Sequence, residues 1–256
     1  MRRSLIALLF LLGAFSAFGT SVAQSPCPSG QSLAFYVMTY TLHGQGCSVG
    51  DWTYSNFTYQ LVSFPTAGNL ADGTLKAEAA DIMLTPPALV TQAFGFSSNN
   101  FQVFYNENKG VGNTAIYRLG YTIDPYPPII PGFEVDMDTF TPQGGGVATI
   151  NTSLCVHQGT PACAETKSFD VIYDSGINGQ ILKTNFVAFT PTNWLDVTHT
   201  ITLEALMSGA SSEITGLRSQ VVQADGTPFP SVPEPGGFVL AGLGLSLVGF
   251  LRSRRK

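Results

Sequence analysis

Bulky apolar and polar residues alternate along most of the chain. In 57–61, Phe57, Tyr59 and Leu61 alternate with Thr58 and Gln60, and in 169–174 Phe169, Val171 and Tyr173 alternate with Asp170 and Asp174. In 197–205, Val197, Ile201, Leu203 and Ala205 share one parity, and Thr198, Thr200, Thr202 and Glu204 the other. A period of two places such sets on opposite faces of a half-buried strand. Further strands are predicted at 101–106, 114–123, 132–140, 146–156, 180–189 and 212–222. Segment 33–42 is apolar at both parities, which predicts a strand covered on both sides. Only 76–84 reads as a helical turn. Clusters of Gly, Pro, Asn and Asp separate these segments as turns. Many short strands with almost no helical periodicity predict an all-β domain over 24–223, an antiparallel sandwich or jelly roll. The Pro- and Gly-containing stretch 224–232 reads as a linker.

Composition sharpens this picture. Only 11% of the 256 residues are charged, against about 25% in an average soluble domain. With 18 Phe, 9 Tyr and 2 Trp, the chain has ample material for a core and does not read as disordered. The net charge of −5 argues against nucleic acid as a partner, which needs clustered Lys and Arg. Half of the twelve basic residues lie at the two extremes: Arg2, Arg3, Arg252, Arg254, Arg255 and Lys256. Segment 24–235 therefore holds six basic against seventeen acidic residues, a net −11.

The two ends obey different rules from the middle. Arg2 and Arg3, the apolar run 5–15, and small Ser21 and Ala23 predict a secretory signal peptide over 1–23, cleaved between Ala23 and Gln24. At the other end Pro233, Glu234 and Pro235 precede an uncharged run over 236–251, then the basic tail Arg252, Arg254, Arg255 and Lys256. As a helix that run would be about 24 Å long, a short single transmembrane helix whose basic end stays in the cytoplasm. The body would then lie outside the inner membrane.

A Pro-Glu-Pro motif, a glycine-containing apolar helix and a terminal arginine cluster, in that order over 233–256, resemble the PEP-CTERM sorting signal. The resemblance implies recognition by an exosortase, export through the Sec translocon with signal peptidase, and processing near the Pro-Glu-Pro motif. It implies a protein tethered to the inner membrane before processing and delivered afterwards to the cell envelope or beyond, in biofilm-forming bacteria with exopolysaccharide. The run 47–51 with Phe57 and Tyr59, Phe94-Gly95-Phe96, and 198–203 are similar to parts of other exported PEP-CTERM β-proteins, and that looser likeness brings no activity.

Four cysteines, Cys27, Cys47, Cys155 and Cys163, suggest two disulfides in an exported chain. Proximity favours Cys27–Cys47 and Cys155–Cys163 among the three possible pairings. His43, His157 and His199 lack the local spacing of a zinc site, and His199, on the apolar side of its strand, reads as a hydrogen-bonded, half-buried residue. No G-x-S-x-G occurs, and no cofactor motif is present. Glu134, Asp136 and Asp138 would point from one strand face. They read first as a solvated face, then as a weak Ca²⁺ site, and last as hydrolase carboxylates. Tyr36, Tyr40, Trp52, Tyr54, Tyr59, Tyr105, Tyr121, Tyr126 and Trp194 read mainly as packing, with an exposed row among them as a platform for sugars. Asn56-Phe57-Thr58 and Asn151-Thr152-Ser153 match the glycosylation pattern without meaning in such a bacterium.

The expected molecule is a non-enzymatic cell-surface or matrix protein associated with exopolysaccharide. A carbohydrate-binding sandwich is the alternative, and a carboxylate-dependent hydrolase the third reading. Deleting 233–256 is expected to redirect the protein, as followed by cell fractionation; unchanged localisation would contradict the sorting signal.

Overall fold

The computed structural model describes residues 25–49, 52–86, 93–125, 130–140, 143–175, 180–223 and 226–227. The signal peptide with Ala23 and Gln24, most of the linker, Tyr126, the Pro233-Glu234-Pro235 motif, the 236–251 run and the basic tail lie outside them. Among the described residues no helix is long and apolar enough to cross a membrane.

The elements are β1 (Gln31–Ser32), α1 (Leu33–Thr39), a 3-10 turn (Thr41–His43), β2 (Gly46–Val49), β3 (Trp52–Ser63), β4 (Met83–Thr85) and β5 (Ala93–Ser97). They continue as β6 (Gln102–Phe104), β7 (Asn113–Pro125), β8 (Ile130–Phe140), β9 (Val147–His157) and β10 (Cys163–Asp174). The last are β11 (Ile181–Leu182), β12 (Thr184–Thr192), β13 (Leu195–Ala205) and β14 (Ser211–Val222). One sheet runs β1-β4-β5-β14-β8-β12 with β6 also on β14; the other runs β11-β10-β9-β13-β7-β3-β2. All their named strand pairs are antiparallel. The expected all-β sandwich is present.

Alternation fills the space between the sheets. On β13, Leu195, Val197, His199, Ile201, Leu203 and Ala205 are buried, and the residues between them are half-buried. Tyr54, Phe57 and Tyr121 of one sheet meet Phe94, Phe96 and Phe133 of the other. Tyr54 stacks on Phe94 with ring centres 4.8 Å apart, and Tyr121 lies 5.3 Å from Phe94. Ser219 donates to the Phe94 carbonyl at 3.1 Å, so Tyr121 donates to Ser219 Oγ across the sheets, at 2.5 Å. Burial pushes the Tyr121 and Tyr54 phenols up from their ordinary range.

Segment 33–42 departs from the expectation. It forms α1 and the 3-10 turn instead of a strand. Ser32 accepts from the Phe35 amide at 3.3 Å, an N-cap. Leu33, Tyr36 and Tyr40, spaced three and four apart, turn into the core, while Met38 and Leu42 stay exposed. That is a helical stripe hidden inside an apolar run. Segment 76–84 is a turn, closed by Asp81 N–H to Glu78 at 2.9 Å, leading into β4. In β3 the pairing with β7 shifts between Ser55 and Thr58, and Asn56 takes a positive φ of 52°. This bulge changes the phase of burial from Trp52 and Tyr54 to Phe57.

Both disulfides form as proximity suggested, Cys27–Cys47 and Cys155–Cys163. Gly216 of β14 has no room for a side chain, since a Cβ would stand 2.3 Å from the Phe96 carbonyl oxygen. Gly216→Ala is expected to destabilise the protein by about 2 kcal/mol or more, measured as a lowered Tm; an unchanged Tm would show that β5 and β14 part without cost.

Candidate functional site

The charged residues that the sequence left on one strand face lie in a groove. Its volume is about 620 Å³, and it crosses β4, β5, β14 and β8 on the outer face of their sheet. Inward positions of β8 are Phe133, Val135 and Met137, which are buried, so Glu134, Asp136 and Asp138 point outward, half-buried. The ladder sets Arg218 of β14 opposite Asp136 on one side and opposite Gly95 on the other, and Gln220 opposite Glu134. Gly95 stands in the outward row opposite Arg218 and lines the groove, and its missing side chain keeps the floor low.

Hydrogen bonds organise these groups. Arg218 Nε donates to Asp138 Oδ1 at 2.8 Å, and its Nη2 donates to Asp136 Oδ2 at 3.1 Å. Gln220 donates to Glu134 at 2.5 Å, and Thr184 of β12 donates to Asp136 at 2.9 Å. The Arg218 side chain is 56% exposed and its two partners are about a third exposed, so the pairs are screened and fix geometry more than stability. The first expectation, a solvated face, holds only in part, because these carboxylates are tied to neighbours. The Ca²⁺ reading meets a guanidinium that bridges Asp136 and Asp138. For the hydrolase reading, the three carboxylates rise from one strand, and no carboxylate stands on the opposite wall among the described lining residues.

The aromatic residues went largely to the core. Tyr36, Tyr40, Trp52, Tyr54 and Tyr121 are buried, while Tyr59, Tyr105 and Trp194 are half-buried. Among the described residues no Trp or Tyr is exposed. Phe186 of β12 is 44% exposed and pairs with Glu134 across the ladder, on the groove side. The sequence reading missed Phe186, Arg218, Gln220 and Thr184. Their alternate parity with buried Leu217, Ser219 and Phe189 was the available signal.

The histidines have separate surroundings. His43 is exposed at the end of the 3-10 turn. His199 is fully buried, not half-buried, among Phe96, Tyr121 and Phe133, with Nδ1 3.0 Å from Thr152 Oγ1. Burial depresses its pKa to about 3. His157 is 2% exposed at the end of β9, stacked on Trp194 at 4.2 Å and 2.8 Å from Asp196. Cys155, His157 and Cys163 place donor atoms within 4.8 Å of one another, but both sulfurs are spent in the disulfide.

Residues 231–256 match the PEP-CTERM protein-sorting motif. This is a PEP-CTERM domain-containing protein. The motif covers the C-terminal region and marks a PEP-CTERM protein as exported and processed by exosortase. No curated protein matches the chain. Among solved structures, the chain is similar to TmCBM61 in complex with beta-1,4-galactotriose, at 9% identity and a TM-score of 0.28, over 65% of this chain and 89% of that one. It is also similar to the enzymatically active domain of tailspike protein 4 of bacteriophage CBA120, at 9% identity and 0.26, over 68% of this chain and 20% of that one. A third is the mannan-recognising carbohydrate-binding module TmCBM27, at 9% identity and 0.22, over 66% and 98%. Likeness at this level transfers neither a site nor a ligand.

His199 makes stability depend on pH with a definite sign. Its folded pKa of about 3 lies below the ordinary 6.5, so the unfolded chain binds the proton first. Its contribution is complete above pH 6.5 and is lost as pH falls from there toward 3. From pH 7 to pH 5 the loss is about 2 kcal/mol. His199→Leu is expected to shrink the difference in Tm between these two pH values; an undiminished difference would place the acid sensitivity elsewhere.

Proposed function

We propose that this PEP-CTERM protein is a non-enzymatic component of the cell surface or extracellular matrix that holds exopolysaccharide in the groove over β4, β5, β14 and β8. The observation that carries this reading is the groove itself, a trough lined by donors and acceptors with its floor kept low at Gly95. Each sugar ring offers hydroxyls that both donate and accept. Glu134, Asp136 and Asp138 supply acceptors, and Arg218, Gln220, Thr85 and Ser97 supply donors, all lining the trough. Exposed Phe186 beside Glu134 supplies an apolar surface for a sugar ring face.

The charge of the trough sets the class of polymer. Three carboxylates face one guanidinium, which favours neutral or amino-sugar chains and repels uronic acid polymers. A binding role rather than hydrolysis is supported by the carboxylates standing on one strand, two of them held by Arg218. The body, over 24–223, presents this face after the 233–256 tail has been processed at the membrane.

Affinity electrophoresis in gels cast with a neutral glycan, a partly deacetylated amino-sugar glycan or a uronate polymer tests the reading. The full chain is expected to be retarded by the first two and not by the third. A Glu134→Gln, Gln220→Ala double variant is expected to lose at least about fivefold of that retardation, with Tm nearly unchanged. Retardation equal in the variant, retardation by none of the three, or depolymerisation of a glycan would each overturn the proposal.

A further inference from the structure

The two disulfides occupy opposite environments. Cys47 is fully buried against the core, with Cys27 packed beside it. Cys163 is an exposed residue at the start of β10, and Cys155 is half-buried on β9. The hairpin loop 158–162 joins them, opened by Gly159 at φ 73°. Cys155 and His157 are two apart on one strand and share a face. Cys163 pairs with His157 in the ladder, and a register shift follows before Glu165. The three side chains thus converge, with the Cys155 and Cys163 Cα atoms 5.2 Å apart.

His157 Nε2 lies 3.2 Å from Cys155 Sγ and 2.8 Å from Asp196 Oδ2. A carboxylate oxygen only accepts, so a hydrogen stands on Nε2, and the Thr160 carbonyl, 3.2 Å from Nδ1, is the ring's other acceptor contact. Thr122 donates to the other oxygen of Asp196 at 2.6 Å, which fixes the carboxylate. The ring is held flat on Trp194. The Nε2–H that Asp196 accepts is therefore also held beside the inner sulfur, shared between the two, while the outer cysteine faces solvent.

We propose that Cys155–Cys163 is a thiol-exchange site for small external thiols, with Cys163 as the attacked sulfur and Cys155 as the leaving one. An external thiolate attacks Cys163 Sγ, and a new disulfide forms between them. The bond to Cys155 breaks, and its electron pair stays on Cys155 as a thiolate facing His157 Nε2–H. One disulfide replaces another, so no oxidant or reductant is consumed. A donor beside the departing sulfur lowers its basicity and speeds departure. The reverse step, Cys155 thiolate attacking the mixed disulfide, releases the thiol and restores the bond. The exported body would thereby carry a covalent, reversible attachment point for a thiol.

The test uses the full folded chain with excess 2-mercaptoethanol, acid quenching, alkylation and peptide mass mapping. The adduct is expected on Cys163 with alkylated Cys155, while Cys27–Cys47 stays intact over the same period. His157→Gln is expected to slow the exchange by about tenfold with an unchanged Cys27–Cys47 rate, which serves as the control for folding. Equal opening of both disulfides in the wild-type chain, an adduct on Cys155, or an undiminished rate in a folded His157→Gln chain would overturn the proposal. If that variant loosens the fold, opening Cys27–Cys47 as well, the position of the adduct in the wild-type chain decides.

Discussion

The contact on which the structure depends is the aromatic seam between the two sheets. Tyr54 and Tyr121 of one sheet lie against Phe94 of the other, and the Tyr121 hydroxyl reaches Ser219, which holds the Phe94 carbonyl. A sandwich closes when both sheets present apolar faces of matching relief. Here the seam also closes on polar atoms, since Tyr121, Ser219, Thr152 and His199 are all buried and hydrogen-bonded to one another in pairs. An unpaired polar group in such a place costs more than a made bond returns, so the Tyr121–Ser219 bond, which crosses between the sheets, ties their register, while Thr152 and His199 pair within one sheet and leave His199 Nε2 without a hydrogen-bond partner.

Committing alternate residues to the seam fixes what the other parity can do. On β8 the inward Phe133, Val135 and Met137 leave Glu134, Asp136 and Asp138 for the outer face, and on β14 the inward Leu217 and Ser219 leave Arg218 and Gln220. In a chain with so little charge, five polar and charged side chains on two neighbouring strands form a concentrated feature. Gly216 lets the backbones of β5 and β14 approach, and Gly95 leaves the outer floor low.

Much of this was legible in the residues. Period two located β7, β9, β13 and β14 closely, and the short spacings of Cys27 to Cys47 and Cys155 to Cys163 located the disulfides. The sorting motif was legible because its three parts are contiguous. The helix over 33–39 was not, because an apolar run carries both periods at once, and the Ser32 cap and the core-facing Tyr36 decide between them only in the fold. The Arg218 bridge was not legible either. Asp136 and Asp138 lie about eighty residues before it, and only the β8–β14 ladder brings them into reach. His157 beside Cys155 was visible as a spacing of two, but its orientation depends on Trp194 and Asp196, from a distant strand.

The proposed role places a neutral or amino-sugar chain on the outer face of β5, β14 and β8. Amide and side-chain chemical shifts of the isotope-labelled body, recorded during titration with a short neutral or amino-sugar oligomer, test it most directly. Changes are expected only at Gly95, Ser97, Glu134, Asp136, Asp138, Phe186, Arg218, Gln220 and their neighbours. Changes centred on the outer face of the other sheet, or none at all, would contradict it.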